Sequence, residues 1–230
     1  SEAAKMIYVL KNNGVDDGAV AFQGVSKYAD VPVGHWAEGY INYCTNLGYM
    51  GGWKEGNVQK FDPNGNVTGV ELTKMLLCMI GYKADVQGYT GNGWQTNVLV
   101  DAATSGLSAN FIPSIYGATP RQWTARLMTN ALDAEWVTYS KGELTYKGNT
   151  YAEQFLNLRT AEGILDETNS NKLGANMNAS LNDSDKVRVT LYAPDANHNT
   201  TISAVGDADD SLLGQPVKMY YKHAGTTSEA

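Results

Sequence analysis

Within residues 28–82 apolar side chains recur at helical spacing in two stretches, with a glycine-rich segment between them. Trp36, Tyr40, Ile41, Cys44 and Leu47 form the first stripe. It opens at His35-Trp36, after the turn signal Asp30-Val31-Pro32, and Gly48 ends it. Leu72, Met75, Leu76 and Met79 form the second stripe, which Gly81 ends. Thr68-Gly69-Val70-Glu71 has the spacing of a capping box: the Thr68 hydroxyl accepts from the Glu71 backbone N–H, and the Glu71 carboxylate reaches back to the Thr68 N–H. Between the stripes, Gly51, Gly52, Gly56, Gly65 and the Asp62-Pro63 turn predict a structured loop over 49–66.

The same unit recurs on either side. A shift of 58 carries Trp36 to Trp94, Ile41 to Leu99, Cys44 to Ala102 and Gly48 to Gly106. A shift of 51 carries Thr68 to Thr119, Glu71 to Gln122 and Leu76 to Leu127, so Thr119-Pro120-Arg121-Gln122 reads as a second capping box with proline at the first helical position. A backward shift of 69 carries Glu71 to Glu2, Lys74 to Lys5 and Met75 to Met6. The chain therefore reads as a partial repeat over 1–14, a full repeat over 28–82 and a divergent one over 89–133, together a helical domain over 1–133. It starts inside a helical pattern, SEAAKMIYVL, which suggests a piece of a longer polypeptide.

From about Thr138 the pattern changes. Lys141-Gly142 and Lys147-Gly148-Asn149 mark turns, and Tyr151 to Leu158 suits a short helix. Val187, Val189 and Leu191 alternate with polar residues, as do Val217, Met219 and Tyr221. These are strand signals. The fold class expected is α+β: the helical repeat domain followed by a small antiparallel β-domain over 138–223, barrel-like and partly closed, with a frayed polar tail from Ala224.

Composition narrows the function. Net charge is −7 with no Lys/Arg cluster, which excludes an electrostatic footprint for nucleic acid. No stretch reaches the roughly 18 apolar residues of a membrane span, so membrane insertion is not expected. Fourteen Tyr and five Trp stand against four Phe. Aromatics with a polar edge suit half-exposed surfaces and flat contacts with sugars or protein. Cys44 and Cys78 sit among apolar residues and read as buried free thiols, with a disulfide open if the two helices face each other there.

Tyr28, Asp30-Val31-Pro32, His35-Trp36-Ala37, Ile41, Gly48, Gly52, Phe61, Pro63, Thr68, Glu71, Lys74 and Met75 together resemble the S-layer homology module of bacterial surface proteins. Its pattern runs F-x-D-V-P-x-x-H-W-A, then G-I-I-x-G, then F-x-P and T-R-A-E-F-A-K-M-L. SEAAKM resembles the end of a preceding copy, and Trp94 to Leu132 a weaker third copy. The resemblance implies a secreted, extracellular protein associated with the bacterial cell wall, with three units in a pseudo-threefold helical domain and a pyruvylated wall polysaccharide held in grooves between them. It implies an Arg of the T-R-A-E motif as a main contact to the acidic sugar. This sequence departs there: the position is Gly69 in the central repeat and Pro120 in the third, and Arg121 comes one residue late. Glycine cannot replace a bidentate Arg contact to a carboxylate.

Catalytic chemistry finds little support. His35, His198 and His223 are far apart, and no nucleophile elbow, zinc-protease helix, phosphate loop or dinucleotide fingerprint is present. Asp62-Pro63-Asn64-Gly65-Asn66 echoes a calcium loop but has Val67 and Thr73 where glycine and the bidentate glutamate belong, so a turn before a helix cap is the better reading. No catalytic residue, metal or cofactor is expected. The candidate glycan contacts are Trp36, Tyr49 and Trp53 as flat surfaces and Gly51 and Gly52 as points of close backbone approach. Thr68 and Glu71 of the motif and Arg121 join them through the resemblance. The expected function is a non-catalytic cell-surface module that anchors or assembles a surface protein, with cell-wall polysaccharide as a partner. Two alternatives are an assembly subunit of a surface lattice or filament, partnered with its own copies or other surface proteins and lacking glycan binding, and a non-catalytic fragment of a larger surface enzyme.

Overall fold

Both apolar stripes of the central repeat become helices in the computed structural model, which describes residues 1–173 and 186–222. The chain divides into two units, Ser1–Leu156 and Asn157–Ala230. The first holds α1 (Glu2–Lys11), α2 (Glu38–Asn46), β1 (Trp53–Glu55), β2 (Val58–Lys60), α3 (Gly69–Met79), α4 (Trp94–Thr104), α5 (Arg121–Asp133), β3 (Glu135–Ser140), β4 (Glu143–Thr150) and α6 (Tyr151–Leu156). Helix α1 packs on α2, and α3 packs on α4; α3 also touches α1 and α5. Leu72, Leu76 and Leu77 of α3 are fully buried. Burial of each contributes about 1.5–3 kcal/mol.

The capping box at Thr68 forms: the Glu71 N–H donates to Thr68 Oγ1 at 3.4 Å and the Thr68 N–H donates to Glu71 Oε2 at 2.9 Å. The one expected at Thr119 does not. Pro120 is the N-cap of α5 with ψ 152°, and the N–H groups of Trp123 and Thr124 donate to its carbonyl. Thr119 is held one residue too early, because its N–H donates to Val67 O at 2.9 Å beside the Thr68–Ala118 bridge. Its hydroxyl is buried and finds no partner among the described residues. The first stripe also starts late. Ala37 N–H donates to His35 Nδ1 at 3.1 Å and Glu38 N–H to His35 O at 2.9 Å, so residues 35–37 form a turn before α2. Trp36 therefore lies off the helix and is 54% exposed. The glycine-rich loop contains the β1–β2 hairpin, turned at Gly56 with φ +62°.

The first unit runs past residue 133 to Leu156 because the β3–β4 hairpin closes the C-terminal end of α3. The Val137 N–H donates to Ile80 O at 2.9 Å, and the Lys83 N–H donates to the Tyr139 hydroxyl at 3.0 Å. Gly81, with φ +115°, lies so close to the Val137 carbonyl that a Cβ would collide with it. Both thiols are free and buried, and burial pushes Cys44 up to about 12 and Cys78 up to about 11.

The second unit holds β5 (Leu158–Glu167), β6 (Lys186–Leu191), β7 (Thr201–Val205) and β8 (Pro216–Lys222). They form one antiparallel sheet in the order β7-β6-β5-β8, a Greek key. The sheet is open: among the described residues β7 and β8 are edges that do not pair with each other, and the expected barrel does not close. Four short strands are too few to curl edge onto edge. The alternating segments expected as strands are β6 and β8, whereas β5, the strand that joins them, carries no such signal. Its Gly163 is where it is because a Cβ would collide with the Thr190 carbonyl. Leu165, Val187 and Val189 make the core on one face. On the strands' polar side Arg188 Nε donates to both oxygens of Asp166, at 3.0 and 3.1 Å. His223 and the tail from Ala224 lie outside the described residues.

All five tryptophans belong to the first unit, so their fluorescence follows its unfolding alone. Replacing Gly81 by Ala forces a strained φ against a carbonyl, and urea titration read by that fluorescence is expected to show a loss of about 2 kcal/mol or more. A second expectation concerns acid. Asp16 Oδ2 lies 2.7 Å from the Lys5 ammonium, and the Tyr40 hydroxyl donates to Oδ1 at 2.6 Å. Lys5 first, then Tyr40, lowers the Asp16 carboxyl from 3.8 to about 2. A carboxyl lowered on folding stabilises fully above its unfolded value, and that contribution disappears as pH falls through its folded one. The Asp16→Asn variant is therefore expected to lose less stability than the parent between pH 3.8 and about 2. Asp17, held down by the Tyr8 hydroxyl, still titrates in both. Urea midpoints taken across that interval measure the difference; parallel profiles would refute the pairing.

Candidate functional site

A cleft of about 720 Å³ opens in the first unit between α1, the segment after α2, α3 and the start of α4. Each wall follows from a local feature of the sequence. On one side Ala3 and Ala4 of α1 present little side chain. Gly48, with φ +73°, ends the run of α2 and releases Tyr49 to Trp53 across the cleft. Gly52 is required for packing, because a Cβ there would collide with the Lys60 carbonyl, whereas Gly51 has nothing within 4 Å of such an atom. Gly51 is thus the position that leaves backbone open to a ligand. Tyr49 is buried, and burial raises its hydroxyl far above the ordinary range; Trp53 is 49% exposed.

The floor of the loop is pinned by Asp30 of the Asp-Val-Pro turn. Its carboxylate accepts from the Phe61 N–H at 2.9 Å and the Asp62 N–H at 2.7 Å. Burial opposes its ionisation, but the N–H groups of Asp62 and Phe61 outweigh that and hold the carboxyl below its ordinary value. Helix α3 contributes Glu71, Lys74 and Met75 on successive turns of one face. Glu71 Oε2 is engaged by the Thr68 N–H and hydroxyl. Lys74 holds its ammonium 5.0 Å from the centre of the Trp94 ring, a cation–π distance. The cleft thus combines aromatic surface, exposed backbone and the Lys74 ammonium with the carboxylates of Asp62 and Glu71, a set suited to binding a polar, ring-shaped ligand by stacking and hydrogen bonds.

Of the residues singled out in the sequence, the fold gathers Tyr49, Gly51, Gly52, Trp53 and Glu71 around this cleft. The others lie elsewhere. Trp36 stands beside Tyr40, with ring centres 6.4 Å apart, on the pair α1–α2. Thr68 serves as the cap of α3. Arg121 has a side chain 87% exposed and pairs with Glu2 at 2.9 Å, a surface contact that links the first turns of α5 and α1. Lys74, Met75 and Trp94 are lining residues that sequence reasoning did not select. Lys74 carried a signal, being the one cation on α3, and Trp94 carried one as the repeat partner of Trp36.

Position 69, where the resembling family carries Arg, is enclosed. The Gly69 N–H donates to Gly117 O at 3.1 Å, and a Cβ would sit 2.9 Å from Ile115 O and 3.2 Å from the Phe111 ring. The loop before α5 covers the place from which that side chain would leave.

The family model described as the S-layer homology domain matches residues 27–72. A cell surface protein of Thermoanaerobacter kivui is 29% identical over 144 residues, a match covering 62% of this chain and 18% of that protein. No solved structure matches the chain. The Asp-Val-Pro turn, the aromatic–glycine crossing and the capped α3 all fall within or beside the residues that match the S-layer homology domain.

Proposed function

We propose that this chain is a non-catalytic module of a bacterial cell-surface protein, located at the cell wall, and that its cleft holds a wall polysaccharide. The observation that supports this reading is the cleft itself. It lies largely on the S-layer homology segment, and Trp53, Trp94, the open backbone at Gly51 and the Lys74 ammonium meet there. Sugar rings stack on aromatic faces, and a polymer repeats that contact along its length. The related surface protein is several times longer than the matched region, which spans 18% of it.

A second reading is an assembly subunit joined protein to protein. Gly69 favours it: the position is closed by Ile115 and Phe111, so the Arg contact that the family resemblance implies is absent here for steric as well as sequence reasons.

Sedimentation with purified wall sacculi separates the readings. The chain is expected to co-sediment, and Trp94→Ala and Lys74→Ala are each expected to lower apparent affinity about tenfold, the loss of one desolvated contact. Failure of the parent chain to sediment would remove the polysaccharide reading. The assembly reading instead expects light scattering to show mass rising with concentration; a monomer at every concentration counts against it.

A further inference from the structure

The sheet of the second unit ends in two edges of different chemistry. Strand β8 carries Pro216, which has no N–H to offer, together with Lys218 and Lys222. Proline and lysine on an edge discourage a further strand from adding. Strand β7 is Thr-Ile-Ser-Ala-Val, with no charge, proline or glycine. Its pairing with β6 runs from Thr201 to Val205 in unbroken register, so no bulge turns this edge away.

The Leu191 N–H donates to Thr200 O at 2.9 Å, and that pair continues the β6–β7 register. Along an antiparallel pair, residues that exchange hydrogen bonds alternate with residues that do not. The backbone groups of Ile202 and Ala204 therefore point at β6, and those of Thr201, Ser203 and Val205 point outward. None of these outward groups has a partner among the described residues. The side chains of all three are exposed, that of Val205 by 73%. Ile202 and Ala204 lie opposite Val189 and Val187, on the face that holds the core.

We propose that β7 pairs antiparallel with β7 of a second copy of the chain, about a twofold axis through Ser203. The strand is complementary to itself in that register. Ser203 meets its own copy and Thr201 meets Val205, so every outward N–H finds an outward carbonyl. Any other register leaves an outward residue of β7 beyond the end of the opposing strand. On the core face Ile202 falls opposite the second copy's Ala204, large against small, and extends the row begun by Val187 and Val189. No like charges meet: β7 is uncharged, and the next acidic residue, Asp207, falls opposite Asn199. A ladder this short covers less than a standard interface, so the pair is weak and reversible. The proposal does not rest on either reading of the chain's function. It uses the second unit, and a twofold pair closes at two copies, whereas a lattice or filament needs further contacts.

The test follows the full chain by sedimentation equilibrium up to about 1 mM, with amide hydrogen exchange at each concentration. Mass is expected to rise from 24.9 kDa towards twice that value. Exchange at Thr201, Ser203 and Val205 is expected to slow as the pair forms, while Ile202 and Ala204, bonded to β6 throughout, keep their rates. Ser203→Glu sets a carboxylate against its own copy at the axis and is expected to weaken pairing about fivefold or more. Ser203→Pro removes an outward N–H and no bond to β6, and is expected to abolish pairing. Should the proline variant fail to fold, the glutamate variant decides. A parent chain that stays monomeric to about 1 mM overturns the proposal, as does pairing that survives both substitutions. Mass that grows while the three amides exchange unchanged also overturns it and leaves the assembly reading standing on another surface. Mass that stops at two copies with the three amides slowed upholds the edge pair and removes the lattice, and mass that passes two copies with them slowed upholds both.

Discussion

Helix α3 can be buried against α1, α4 and α5 only because its terminal backbone groups find partners outside the helix. A helix leaves its first N–H and last C=O groups without internal partners, and each one buried unpaired costs about 1–3 kcal/mol. Here the N–H groups of Gly69 and Val70 donate to Gly117 O and Ile115 O, at 3.1 and 2.7 Å. At the far end Ile80 O accepts from Val137. Both approaches bring foreign backbone against α3, and both require glycine, Gly69 at one end and Gly81 at the other. The loop before α5 and the β3–β4 hairpin are therefore conditions of the helix's burial, which is why the first unit extends well beyond the repeats.

The same constraint shapes the cleft. Closing the N-terminus of α3 with the Ile115–Gly117 backbone takes position 69 out of use, and the side chains that α3 still offers to solvent lie one turn further on, at Glu71, Lys74 and Met75. The cleft forms beside them because Asp30 pins the 61–62 backbone and Gly52 lets the hairpin close on Lys60. An ammonium over an aromatic face is a weaker and less directional cation site than a guanidinium fork.

Much of the scaffold was legible in the sequence because it is local. The Thr68–Glu71 box depends on residues three apart, the apolar stripes on helical period, and β6 and β8 on simple alternation. Misreadings occurred where a distant partner overrides such a rule. Thr119 has the spacing of a cap, but its hydrogen bond to Val67 O holds it outside the helix. Trp36 has the spacing of a core residue, but the His35 turn places it before the helix. Strand β5 carries no alternation signal, although its Gly163 is what lets β6 lie against it.

Sequence alone determined the apolar stripes of the central repeat, the cap of α3, the resemblance to the S-layer homology domain and four residues around the cleft, Tyr49, Gly51, Gly52 and Trp53, since each is written in neighbouring residues. Tertiary structure alone decided that Lys74 and Trp94 meet, that Lys5 pairs with Asp16 and that position 69 is closed. These depend on where connections of unequal length return to the helices, and nothing in the local pattern of the chain specifies that return.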